Sequence, residues 1–336
     1  KLATGEYADA ARLAERARAA HRALGDARGQ AVCLTQLGTA HFRQGNGDAA
    51  LQALKRARTL WRQHGSASGL AETLVALGQV EFFSRADYDA ALALFDRAQA
   101  RFAAAGDLHG QAKCLLNVGN VLYYDLGRHD EAVSRYRQAL EVFRAIGDRQ
   151  GEAFALHNVG NVYRTLSLGR HREGLDHLRR AHDLCIEMDD AFGVALSLQV
   201  QGRLHLSLGD HESARPLLER ALALFRQIGD RDEEASCLHF LGVVQRARAR
   251  HDEALALLRQ AEAISRETGD RRALAYGPVE QGETRCAQGA WREALDLFQR
   301  ALDQARALSL DGEQVDALTG LAKAHLGLGQ AAEALA

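Results

Sequence analysis

Glycine returns on one helical face at Gly38, Gly78, Gly119, Gly160, Gly202, Gly242 and Gly282, with Ala322 in the eighth place, at a spacing of 40 to 42 residues. An alanine series keeps step with it: Ala17, Ala57, Ala98, Ala139, Ala181, Ala221, Ala261 and Ala301. A fixed period of this length marks a chain that stacks one supersecondary unit on the next. It overrides the two globular domains that 336 residues would otherwise suggest. Glycine inside a helix costs about 1 kcal/mol relative to alanine, so its retention in register predicts a neighbouring helix packed too close for a side chain.

Residues 147–187 show the repeat in full. Gly147 suits a left-handed helix C-cap, and Asp148 suits the N-cap that follows. The same pair returns at Gly25-Asp26, Gly106-Asp107, Gly229-Asp230 and Gly269-Asp270, and Asp230 with Glu233 spells a capping box. Leu156, Val159, Gly160 and Tyr163 form the stripe of an amphipathic first helix. Gly169 ends it, and a second helix carries Gly174 and Ala181 on one stripe. Pro278 stands where a leucine belongs in the seventh repeat, which predicts a helix there that starts late or kinks. Gln201 and Gln281 replace the apolar residue before the repeat glycine.

Leucine at the fourth repeat position, Leu/Val-Gly at the seventh and eighth, and alanine at the twentieth and twenty-seventh resemble the tetratricopeptide repeat. The longer period with its Gly-Asp-Arg link is similar to the variety in G-protein-signalling adaptors and in sensor arms of bacterial signal-transducing ATPases and regulators. The resemblance implies an all-α, right-handed superhelical solenoid of about seven complete helix pairs plus partial repeats at both ends. The expected division of 1–336 is a partial repeat 1–25, repeats at about 26–65, 66–106, 107–147, 148–188, 189–229, 230–269 and 270–310, and a partial repeat 311–336. Partial repeats at both ends are expected of a piece of a longer protein.

Bulk chemistry narrows the function classes. A net charge of −2 provides no global basic field for a nucleic-acid backbone. No apolar run approaches the roughly 18 residues of a membrane span. The five cysteines lack any Cys-x-x-Cys or finger spacing, and Cys33, Cys114 and Cys237 stand where other repeats carry Thr73, Ala155, Ser197 or Ala317, which predicts reduced thiols and a cytoplasmic setting. No nucleotide-loop, metalloprotease or nucleophile-elbow motif occurs, so neither an enzyme nor a cofactor is expected. His129, His171, His211 and His251 share one repeat position, but one side chain per repeat does not converge on a metal.

What remains is the side of each first helix at offsets −6, −3, +1 and +4 from the glycine, three or four residues apart. In the family resembled, this side lines the concave groove that takes protein or peptide segments. Its early part is apolar, with Val32, Phe42, Val75, Phe82 and Phe83. The tetrapeptide Asn-Val-Gly-Asn then occurs twice, at Asn117–Asn120 and Asn158–Asn161. An asparagine amide both donates and accepts, so a row of them matches peptide backbone. The candidate peptide-binding residues are Lys113, Asn117, Asn120, Tyr123, Tyr124, His157, Asn158, Asn161, Arg164, Gln199, Arg203, His239 and Arg246. Changing Asn120 and Asn161 together to Ala is expected to weaken binding with little change in melting temperature.

The reading is a protein- or peptide-binding scaffold or sensor module, part of a larger bacterial signalling or transcription-regulatory protein. Two others fit the same repeat: the regulatory arm of a protease, phosphatase or NTPase, and an arm for self-assembly.

Overall fold

The computed structural model describes residues 2–124, 128–165, 170–308 and 310–330, and every regular element among them is helical. The chain divides into two compact units, Lys1–Leu166 and Ser167–Ala336. The first contains α1 (Leu2–Ala23), α2 (Ala27–Arg43), α3 (Gly47–His64), α4 (Ala67–Arg85), α5 (Tyr88–Ala104), α6 (Leu108–Tyr124), α7 (His129–Ile146) and α8 (Arg149–Thr165). The second contains α9 (His171–Glu187), α10 (Ala191–Ser207), α11 (His211–Ile228), α12 (Arg231–Ala247), α13 (His251–Thr268), α14 (Arg271–Ala287), α15 (Trp291–Ala307) and α16 (Asp311–Gly327). Within each unit a first helix packs on its second helix, and the pairs stack in chain order. This is the expected all-α tetratricopeptide-type solenoid. Gly169, the side chain of Tyr124 and the end of the last partial repeat, residues 331–336, lie outside the described residues.

Helix boundaries follow the Gly-Asp punctuation. Gly147 and Gly229 take φ of 72° and 81°, a left-handed conformation that glycine adopts without strain. Asp148 then accepts from the backbone N–H of Gly151 at 2.9 Å, and Asp26 accepts from that of Gly29 at 2.9 Å. The hydrogen bond from Gly29 holds the Asp26 carboxyl below its ordinary value. Asp230 caps α12 through the N–H of Glu233 at 3.0 Å, but the reciprocal half of the expected capping box is missing. The Glu233 carboxylate instead accepts from Gln199 at 2.7 Å.

The repeat glycines do what their cost implied. A Cβ on Gly38 would lie 2.5 Å from Leu54, on Gly78 2.6 Å from Phe95, and on Gly119 2.5 Å from Tyr136. In the second unit the same contacts are Gly202 with Leu218, Gly242 with Leu258 and Gly282 with Phe298, each at 2.7 Å. The residue filling each glycine's place comes from the paired second helix and is buried. A second glycine series, at Gly69, Gly110 and Gly151, receives the rings of Trp61, Phe102 and Phe143 from the preceding repeat. The alanine series is buried from Ala57 to Ala301.

Pro278 requires a correction. α14 starts on schedule at Arg271, capped by Asp270, and runs through the proline to Ala287. Proline crowds the Cβ of the residue before it, and Gly277 has none. Stacking also stays in register, since the Gly282–Phe298 contact matches those of the other repeats. Gln281 keeps its buried position by donating to Glu262 Oε2 at 2.8 Å, and Glu262 also accepts from Arg300 at 2.6 Å.

Candidate functional site

The predicted groove residues fall on the first helices of both units, so each unit presents its own face. In the first unit these helices are α2, α4, α6 and α8. Lys113 is exposed, and Asn117, Asn120, Tyr123, His157, Asn158, Asn161 and Arg164 are half-buried.

The two Asn-Val-Gly-Asn copies are used differently. Asn117 is occupied at both ends of its amide: Nδ2 donates to the Lys113 carbonyl at 2.8 Å, and Oδ1 accepts from Gln79 of α4 at 3.3 Å. It therefore ties neighbouring repeats together. Asn158 holds its Nδ2 buried, with no partner among the described residues.

Asn120 and Asn161 behave alike. The Tyr136 hydroxyl donates to Asn120 Oδ1 at 2.7 Å, and Arg164 Nε donates to Asn161 Oδ1 at 3.3 Å. Both carbonyl oxygens are thus taken by the protein. Neither Nδ2 has a partner among the described residues, so both remain able to donate outward. Arg164 also donates to the Tyr123 hydroxyl at 3.3 Å, and the Tyr123 ring lies 5.6 Å from that of His129. No carboxylate among the described residues pairs with Arg164 or Lys113, so two uncompensated cations flank the amides.

The second unit is built differently. Gln199 on α10 donates to Glu233 on α12, and Arg246 on α12 donates to Glu280 on α14 at 2.7 Å. The Arg203 guanidinium lies 4.6 Å from the Phe240 ring centroid, within cation–π range. His239 is buried edge-on between Phe240, at 5.1 Å, and Tyr276, at 4.9 Å. Burial, with Arg203 and Arg246 nearby, lowers its pKa to about 4, so it is a neutral ring at neutral pH. Burial likewise raises the Glu233 carboxyl and pushes the Tyr276 hydroxyl to about 12. Gln199, Arg203, His239 and Arg246 are therefore brought together, and three of them are engaged with Glu233, Phe240 and Glu280.

Those partners were not among the sequence candidates. Tyr276 stands six residues before Gly282, the offset Lys113 has from Gly119. Phe240 and Glu280 stand two residues before their glycines, the place of Asn117 and Asn158, but lack the repeated tetrapeptide that singles those two out. Glu233 looked like a cap.

Other chemistry is sparse. His129, His171, His211 and His251 each open a second helix. No group of three or more His, Cys, Asp or Glu side chains among the described residues is arranged to hold a metal. All five cysteines are free and buried, and burial pushes Cys114 and Cys237 to about 12. No described helix is long and apolar enough to cross a membrane.

Family models described as tetratricopeptide repeat match residues 30–64, 69–145, 111–185, 152–227, 202–267 and 279–311. No curated protein matches the sequence. Among solved structures, the apo form of the quorum sensor NprR from B. thuringiensis superposes with a TM-score of 0.68 at 14% identity, covering 99% of this chain and 94% of that one. A Rap protein complexed with competence and sporulation factor gives 0.61 at 15% identity, covering 98% and 99%. A signal-transduction ATPase with a tetratricopeptide repeat sensor, from Pyrococcus horikoshii, gives 0.63 at 18% identity, covering 88% of this chain and 46% of that one. At these identities the likeness is one of fold.

Proposed function

The chain belongs to the tetratricopeptide repeat family, and we propose that it captures a peptide or extended protein segment on the first-helix face of residues 1–166. One observation carries this reading. Asn120 and Asn161 occupy the same position in consecutive repeats, each with its carbonyl fixed by the protein and its NH2 left to donate. A backbone carbonyl of an extended segment is the acceptor such a pair suits, and helix faces of this kind take ligands by groove capture. The corresponding face of the second unit has satisfied most of its polar groups internally, so less binding energy is available there.

The sensor or scaffold arm of a bacterial signalling or regulatory protein is the context we favour. It is in keeping with the quorum sensor, the Rap complex and the ATPase sensor whose fold this chain shares. Catalysis, where the whole system has any, then belongs to another chain or domain.

The test separates donor from acceptor. Alanine at 120 would take the Asn120 acceptor from the hydroxyl of Tyr136, a residue 2% exposed, so the alanine pair is expected to cost stability as well as binding. Asn120→Asp and Asn161→Asp keep the acceptor oxygen and remove the donor. Together they are expected to weaken binding of a peptide selected from a random library by about tenfold, with the melting temperature nearly unchanged. Equal affinity of the double variant and the parent would remove these amides from the binding face.

A further inference from the structure

The rim of the first unit's face that lies at offset +4 changes character along the stack. α2 contributes Phe42, α4 contributes Phe82 with Phe83 beside it, α6 contributes Tyr123 and α8 contributes Arg164. Phe83 is 59% exposed, yet its ring is fixed by two others, with centroids 4.4 Å from Phe82 and 6.0 Å from Phe42. An exposed aromatic held in place by aromatic neighbours loses little freedom when something docks on it. Arg164 is likewise positioned, by Asn161 and the Tyr123 hydroxyl, and has no carboxylate partner among the described residues.

Among the described residues, no carboxylate pairs with Arg164. Glu81, the nearest in sequence to Phe83, sits 3.6 Å from Arg85. Glu72 stands on the opposite rim, at offset −6, where Val32, Lys113 and Phe154 are its counterparts. The described residues of the face therefore offer an apolar ledge over α2 and α4 and a cation without a carboxylate partner at α8, with the Asn120 amide on α6 between those helices.

We propose that the segment bound in this unit carries a large apolar side chain that docks on Phe83 and Phe42 and an acidic side chain that docks at Arg164. Two repeats separate Phe83 on α4 from Arg164 on α8. Consecutive first helices pack less closely than paired ones, so at about 10 Å per repeat and about 3.3 Å per extended residue the two side chains stand about six residues apart. This specificity rests on the groove reading above, and adds to it which residues the segment must have and at what spacing.

The probes are fluorescein-labelled, C-terminally amidated 12-residue peptides in four sets: Phe and Glu six apart, Phe alone, Glu alone, and neither. The first set is expected to bind tightest, with Phe and Glu each worth about tenfold in Kd, the scale of one buried apolar anchor or one charge-assisted contact. Phe83→Ser is expected to abolish the preference for Phe and spare that for Glu, Arg164→Gln to do the reverse, and Phe83→Leu to retain the apolar preference. Peptides with and without Phe binding equally, or Phe83→Ser leaving the preference intact, overturns the inference while the groove reading stands. Failure of all four sets to bind the parent overturns both.

Discussion

Phe298→Ala is expected to cost about 3–5 kcal/mol, the usual range for emptying a buried aromatic site. Phe298 is 0% exposed. A Cβ on Gly282 of α14 would lie 2.7 Å from its ring, and one on Gly320 of α16 2.3 Å, so one side chain fills the close approach of three helices. Neither glycine has side-chain atoms with which to collapse into the space. The two tryptophans make the effect local to read, since Trp61 lies in the first unit and Trp291 in the second, on the same helix as Phe298. In a Trp61→Phe background, Trp291 fluorescence in urea should report a midpoint shifted strongly downward. A loss below about 1 kcal/mol would mean the ring is not the keystone of this packing.

The opposite error, overfilling, is expected at Gly119→Val. The added Cβ alone would meet Tyr136 at 2.5 Å, and that ring cannot swing freely because its hydroxyl is bonded to Asn120 at 2.7 Å. Overpacking of this kind costs about 3 kcal/mol, more than the roughly 1 kcal/mol regained by replacing glycine in a helix. For a unit of this size the net loss of about 2 kcal/mol corresponds to a fall of roughly 4–8 °C in melting temperature, followed through Trp61 in a Trp291→Phe background. The substitution also pushes on the residue that holds Asn120, so peptide binding should fall with stability. A valine variant as stable as the parent would show that the repeat glycine is not dictated by the paired helix.

The fold was legible because its signal is periodic. Seven glycines in register reveal which helix face is crowded without any knowledge of what crowds it. The individual roles of the groove residues were less legible, since each depends on a partner from another repeat. Asn117 and Asn120 are chemically identical, yet Gln79 of the preceding repeat occupies one and Tyr136 of the paired helix holds only the carbonyl of the other. Asp230-Glu233 has the sequence of a capping box, but Gln199, 34 residues from Glu233, takes the carboxylate. Pro278 looked disruptive because proline is weighed alone, whereas Gly277 supplies the missing tolerance. Helical offset could find a face; it could not say which polar groups on that face were already spent.

Photo-crosslinking locates the bound segment most directly. A benzophenone side chain is placed at Lys113, on the first-helix face, or at Glu141, exposed on second helix α7, and the protein is irradiated with a peptide selected from a random library. The account predicts efficient capture from position 113 and none above background from position 141. Capture from 141 in preference to 113 would contradict it.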